Sequence, residues 1–237
     1  MGFHDLELCE RRLIAGRGTA LFAQRLAELS DDELESGSLL DGWTRKHLVA
    51  HVGYNAAALC RLMDWAATGV ETPMYPSAEH REREIKEGAT LSAAALRNLL
   101  DHTRARLDEK WRNLDATHWA APVRTAQGRT VAASETLWMR TREVWIHAVD
   151  LDNGAQFSDF PDVVLESLLA DIVGGWRRQE VGTDLVLEVT GAAPTPVGER
   201  GGVSVRGSLP ALVRWAAGRG AIEVSSDGDM PAAPRWL

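Results

Sequence analysis

Cysteine is scarce in this sequence, with Cys9 and Cys60 the two it holds. Their spacing fits neither a disulfide framework nor a cysteine-rich zinc module, and a reducing cytoplasm suits that usage. Long apolar runs are missing too. No stretch approaches the ~18 uninterrupted apolar residues of a membrane-spanning helix. The opening residues, Met1-Gly2-Phe3-His4-Asp5, lack a basic segment followed by an apolar run, so no secretory leader is expected. Basic charge is also short. The formal net charge is −8, which argues against a nucleic-acid grip, because counterion release needs a basic face. A small anion is not excluded, since a local arginine cluster can sit on an acidic protein.

What is present is ordinary for a globular protein: 237 residues, 45% hydrophobic and 25% charged. That is enough chain for one or two domains, either able to bury a core without staples.

The chain before residue 160 reads as helices. Leu6, Leu8, Leu13, Ile14, Leu21, Phe22 and Leu26 recur at broadly helical spacing between Asp5 and Leu29. Ser30 and Glu33 form a capping-box pattern, and Gly37 and Gly42 keep that piece short. Thr44 is placed to cap a longer helix running to about Ala67, and Gly69, Pro73 and Pro76 then make a loop. Helices follow over Ser77 to Glu87 and Ser92 to Leu114. A small excursion or hairpin spans Ala121 to Val131. The next helix starts near Ser134 and ends around Asp152-Asn153-Gly154, where Asn or Gly can take the left-handed cap. Four main helices of this kind predict a bundle over residues 1–155.

The texture changes after residue 160. Pro161 is placed to open a helix reaching Gln179. Leu185 to Val189, Gly202 to Val205 and Ala221 to Val224 have strand character, and Ser208 to Ala217 reads as a short helix. The expected class is therefore α+β: the bundle, then a small α/β domain over residues 156–237, with the boundary between Gly154 and Pro161.

Chemistry concentrates in the bundle. Glu143 and His147 are four residues apart on one helix, so their side chains stack on one face. His51 lies one turn beyond His47 on another helix, among Leu48, Val49, Val52 and Ala56. A bundle can bring His51 opposite the Glu143/His147 pair, and two imidazoles with one carboxylate make a common catalytic zinc arrangement. On spacing alone, a Glu and a His four apart on a helix usually form a solvated pair. The apolar setting of Trp138, Val144, Trp145, Ile146 and Val149 makes an unpaired carboxylate expensive there, and a metal would relieve it. His47 is either a further ligand or a capping residue. Asp150, one turn past His147, is either an acceptor orienting that imidazole or a polar helix-end residue. His4, His80, His102 and His118 have no partner pattern. Cys9 and Cys60 carry no mark of an activated thiolate.

The run Gly42-Trp43-Thr44-Arg45-Lys46-His47-Leu48-Val49-Ala50-His51-Val52, with Tyr54-Asn55 after it, resembles the DinB-like metal-binding bundles. Further stretches narrow the resemblance to the mycothiol-dependent maleylpyruvate isomerases. These are Thr125 to Val131, Ser134 to Arg140, Arg142 to Leu151, Ala216-Ala217-Gly218-Arg219-Gly220, and the closing Pro234-Arg235-Trp236-Leu237. The resemblance runs nearly end to end and is weakest between about residues 153 and 200.

That resemblance implies a zinc ion on His51, Glu143 and His147, and all three ligand positions match. It implies a sterol-carrier-like second domain that supplies an arginine, here Arg219, to a substrate carboxylate. The reaction it implies is cis–trans isomerisation of maleylpyruvate to fumarylpyruvate in aromatic-acid breakdown. Mycothiol would be the nucleophile, by conjugate addition, rotation and elimination. The alternative is a zinc- and mycothiol-dependent S-transferase acting on another electrophile. Arg81, Arg83, Arg129 and Arg140 are further arginines that could serve anions.

Overall fold

Four long helices make up most of the N-terminal unit, Leu6–Ala155, in the computed structural model, which describes residues 2–199 and 201–236. They are α1 (Leu8–Ala27), α2 (Arg45–Thr68), α4 (Ala93–Asn113) and α5 (Glu135–Asp150), with a shorter α3 (Ala78–Gly88) after α2. The local signals act as expected. Thr44 caps α2, its hydroxyl accepting from the His47 N–H, and Ser77 and Ser92 cap α3 and α4 in the same way. Each such cap contributes about 1 kcal/mol. Gly69 closes α2 in the left-handed region, at φ 73°.

Helix α2 is the spine of the unit, packing on α3, α4 and α5, while α1 lies against α5. It buries Leu48, Val49, Val52, Ala56, Leu59, Leu62 and Met63 almost completely. The α1–α5 approach depends on Gly18, where a Cβ would come within 2.5 Å of the Trp145 indole nitrogen. The excursion between α4 and α5 is an antiparallel hairpin, β1 (Pro122–Arg124) with β2 (Thr130–Ala132).

The second unit takes Gln156 onward together with the short segment before Leu6. Phe3 is wholly buried there, and its N–H donates to the Ser167 hydroxyl at 2.8 Å. Ser167 lies on α6 (Asp162–Gln179). A four-stranded sheet has the order β4 (Thr195–Pro196), β3 (Leu185–Val189), β5 (Val203–Gly207), β6 (Val224–Ser226). The central pair is parallel and the outer pairs antiparallel. Helix α7 (Leu209–Ala216) packs on α6, with Trp176 and Trp215 edge to face at 5.9 Å.

Two local expectations are corrected, and one strand was not expected. The last strand begins at Val224 rather than Ala221, because Glu223 sits in the left-handed region at φ 57° and cannot continue a strand. Ile222 is accordingly 53% exposed. The left-handed residue that follows α5 directly is Asp152, at φ 53°, ahead of Asn153. The two-residue β4, with Pro196 in it, carries too little pattern to be read from sequence. No helix among the described residues is long and apolar enough to cross a membrane.

Candidate metal centre

The first two turns of α2 and the C-terminal half of α5 face each other within the N-terminal unit. The i,i+4 stacking of Glu143 and His147 sets the latter's Nε2 3.2 Å from Oε2 of the former. From α2, Nε2 of His51 reaches the same oxygen at 2.8 Å. One ligand atom from each of the three residues lies within 4.8 Å of the others, and no other group of His, Cys, Asp or Glu among the described residues converges in this way. The imidazole rings of His51 and His147 are 5.0 Å apart and nearly perpendicular. Trp43, just ahead of the α2 cap, sets its ring edge to face with His51 at 5.5 Å.

The surroundings prepare this cluster for a cation. His51 is buried, while Glu143 and His147 are half-buried and keep one side accessible. Burial depresses the His51 pKa, so its imidazole favours the neutral form that a metal requires. Burial acts against ionised Glu143 as well. The adjoining His51 and His147 outweigh it and hold the carboxyl well below the usual range. Burial likewise disfavours the His147 imidazolium, yet hydrogen bonds to Asp150 and Glu143 raise its pKa. Asp150 is wholly buried, with Oδ2 2.8 Å from His147 Nδ1. That contact keeps a proton on Nδ1 and leaves Nε2 directed at the cluster. The donor set, two imidazole nitrogens and one carboxylate oxygen, is that of an open three-residue zinc site.

The remaining sequence candidates sort as follows. His47 is a cap: its Nδ1 lies 2.8 Å from the Thr44 hydroxyl, and it stands outside the triad. His80 meets Glu84 on the surface of α3 at 3.5 Å, and His102 is exposed. Trp138 and Trp145 are core residues, the indole N–H of Trp145 donating to Ile14 O at 3.2 Å. Cys60 is buried and burial pushes its thiol pKa up, away from thiolate; Cys9 is exposed on α1. Arg140 is buried one turn before Glu143, with Nη1 donating to Val52 O and Asn55 Oδ1 at 2.8 and 2.9 Å. Arg83 and Arg129 are exposed.

Arg219 follows α7 in the C-terminal unit, between Gly218 and Gly220 at φ 76° and 95°. Its backbone is pinned by a reciprocal pair with Arg214: Arg219 N–H to Arg214 O at 3.0 Å, and Arg214 Nε to Arg219 O at 2.8 Å. Its own Nη1 donates to Ala217 O. The loop is thus a built feature rather than a free tip.

Two residues near the triad were given no role from the sequence. Trp43 precedes its helix, and Tyr75 lies in the loop after α2. Burial pushes the Tyr75 phenol up to about 12, against the pull of nearby Arg81.

Comparison with known proteins gives the lineage. The family model of the mycothiol maleylpyruvate isomerase N-terminal domain matches residues 15–152. The crystal structure of the mycothiol-dependent maleylpyruvate isomerase is 51% identical and superposes with a TM-score of 0.98, covering 100% of both chains. A histidine-to-alanine mutant of the mycothiol-dependent maleylpyruvate isomerase, also 51% identical over 100% of both chains, gives 0.97. No curated protein matches the chain. The chain belongs to the mycothiol-dependent maleylpyruvate isomerase family.

Proposed function

We propose that this chain catalyses the mycothiol-dependent cis–trans isomerisation of maleylpyruvate to fumarylpyruvate, with zinc on His51, Glu143 and His147. The observation that carries the reading is the convergence of those three ligand atoms within 4.8 Å in a chain 51% identical, end to end, to such an isomerase.

The residues fit the metal. Two imidazole nitrogens and a carboxylate oxygen are directed at a common point, Asp150 fixes one imidazole, and the half-buried side of the cluster leaves a position for an exogenous ligand. When bound there, the metal supplies the positive charge that ionises a thiol near neutral pH, and a thiolate's reversible addition to the substrate alkene relieves the double bond for rotation.

The chain's own contribution is placement. His51 and His147 reach the site from different helices, so the ligand geometry is set by the α2–α5 packing and not by a loop. Trp43 walls one side of His51 and limits the approach of water. Arg219, from the C-terminal unit, is the residue we assign to a substrate carboxylate, a task suited to its planar fork. Neither cysteine serves as nucleophile, since Cys60 is a buried, undissociated thiol and Cys9 lies outside the triad. Two cysteines left as free thiols suit a reducing cytoplasm, where we place the reaction in aromatic-acid catabolism.

The test is the ultraviolet spectrum of maleylpyruvate mixed with zinc-loaded protein, with and without mycothiol. Conversion to fumarylpyruvate only with thiol present is the expected result. Conversion without thiol, or none by folded, zinc-loaded protein given thiol, would reject the reading.

A further inference from the structure

Arg81 is a half-buried cation beside the candidate metal triad, with no carboxylate paired to it among the described residues. It projects from the first turn of α3, where one Nη lies 3.5 Å from Nδ1 of His51. Its guanidinium carbon stands 6.0 Å from the centre of the Tyr75 ring. Glu84, one turn further along α3, faces His80 instead, and one of its carboxylate oxygens is buried without a partner.

Helix α3 is held close to the site by a glycine. A Cβ at Gly88 would come within 2.7 Å of the Tyr54 ring and 2.8 Å of the Ala50 side chain, so α3 packs directly on α2. The position of Arg81 is therefore a product of helix packing.

A second observation points the same way. Arg140 is 1% exposed, and its Nη2 has no hydrogen-bond partner. Glu143, Cys60 and Tyr75 each favour its charged form, so the phenol that Arg81 faces also interacts with this buried charge. Buried cations are ordinarily paired. Arg81 and Arg140 both act on that phenol, alongside the carboxylates of Glu84 and Glu143.

Metal chemistry strengthens the requirement. With Nε2 of His51 directed at a metal, the remaining proton of that imidazole is on Nδ1. Nδ1 is then a donor and can no longer accept from Arg81. The guanidinium keeps its charge, loses its neighbour's lone pair, and is left beside a divalent ion that repels it. A carboxylate offers what both cations need, and the planar fork of Arg81 can take it through two parallel hydrogen bonds.

We propose that Arg81, seconded by the Tyr75 hydroxyl, binds a substrate carboxylate on the bundle side of the metal site. The proposal rests on the isomerase reading for the identity of the substrate, which has two carboxylates. Arg81 takes one of them. Arg81 is therefore a substrate-positioning and specificity residue. Arg140 acts behind it as a fixed source of positive potential.

The test uses the zinc-loaded chain and its Arg81→Gln and Arg81→Lys variants. KM is measured separately for maleylpyruvate and mycothiol, zinc per chain is determined, and maleate binding is followed by tryptophan fluorescence as a probe that needs no turnover. Loss of one charge-assisted pair should raise KM for maleylpyruvate and Kd for maleate at least about 30-fold in Arg81→Gln. Zinc content and KM for mycothiol should stay within about twofold, and Arg81→Lys should recover part of the loss. Unchanged KM and Kd in Arg81→Gln would overturn the proposal. So would a rise confined to the KM for mycothiol, or a wild type that fails to bind maleate. Should the wild type bind maleate but not isomerise maleylpyruvate, the isomerase reading fails by itself. Weaker maleate binding in Arg81→Gln would then still support the carboxylate site, and equal binding would reject it.

Discussion

The Asp150 carboxylate lies 2.8 Å from Nδ1 of His147, three residues away on α5, and is wholly excluded from solvent. A buried carboxylate in that position has one evident task, to hold the imidazole with Nε2 outward and to raise its basicity as a ligand. Asp150→Asn keeps the shape and removes the charge. It should weaken zinc binding by about 10- to 100-fold, as losses of such outer partners do. Competition with a chelator of known affinity measures this. Zinc affinity equal to wild type would mean that Asp150 serves the helix end alone.

Tyr75 makes stability depend on pH in the alkaline range. Burial is the leading cause that pushes its phenol from 10 up to about 12. Between those values the folded state holds a proton that the unfolded state has released, so stability falls as pH rises through that window. Below about pH 10 the contribution is fully present. Tyr75→Phe should therefore move alkaline unfolding to higher pH, read by far-ultraviolet circular dichroism. A midpoint that does not move would show that Tyr75 titrates as an ordinary exposed phenol.

The cysteines give a negative prediction. Cys60 is buried with its thiol pKa raised, and Cys9 is exposed on α1, outside the triad. A chain with Cys9→Ala and Cys60→Ala should keep thiol-dependent isomerisation at the wild-type rate. The buried change should cost about 1 kcal/mol of stability through lost packing. Loss of turnover in a folded, zinc-loaded double variant would bring a protein thiol into the mechanism.

The helical bundle was readable because its signals are local. Ser and Thr caps, the Gly69 stop and apolar periodicity act within one or two turns, and they placed α2 to α5 to within a few residues. The triad was partly readable for the same reason: Glu143 and His147 share a face by helical geometry. That His51 should meet them from 92 residues away is set by α2–α5 packing, which periodicity permits without specifying. Tyr75 and Trp43 escaped because a loop residue's neighbours are fixed by tertiary path. Arg81 could be read only as one of several arginines able to serve an anion. Its distinction from Arg83 and Arg129, which are exposed, lies in the packing of α3 against α2. The late strand β6 was misplaced because a left-handed non-glycine, Glu223, leaves no sequence mark.

The measurement that bears most directly on the account is a zinc titration of metal-free protein, in the presence of maleylpyruvate and mycothiol, for the wild type and for His51→Ala and His147→Ala. The isomerisation rate should rise in proportion to bound zinc and level off at one ion per chain. Both variants, folded by circular dichroism, should retain no stoichiometric zinc and show no thiol-dependent turnover above background. Full activity in metal-free wild type, or stoichiometric zinc with undiminished turnover in either variant, would contradict the assignment of His51, Glu143 and His147 as the metal centre.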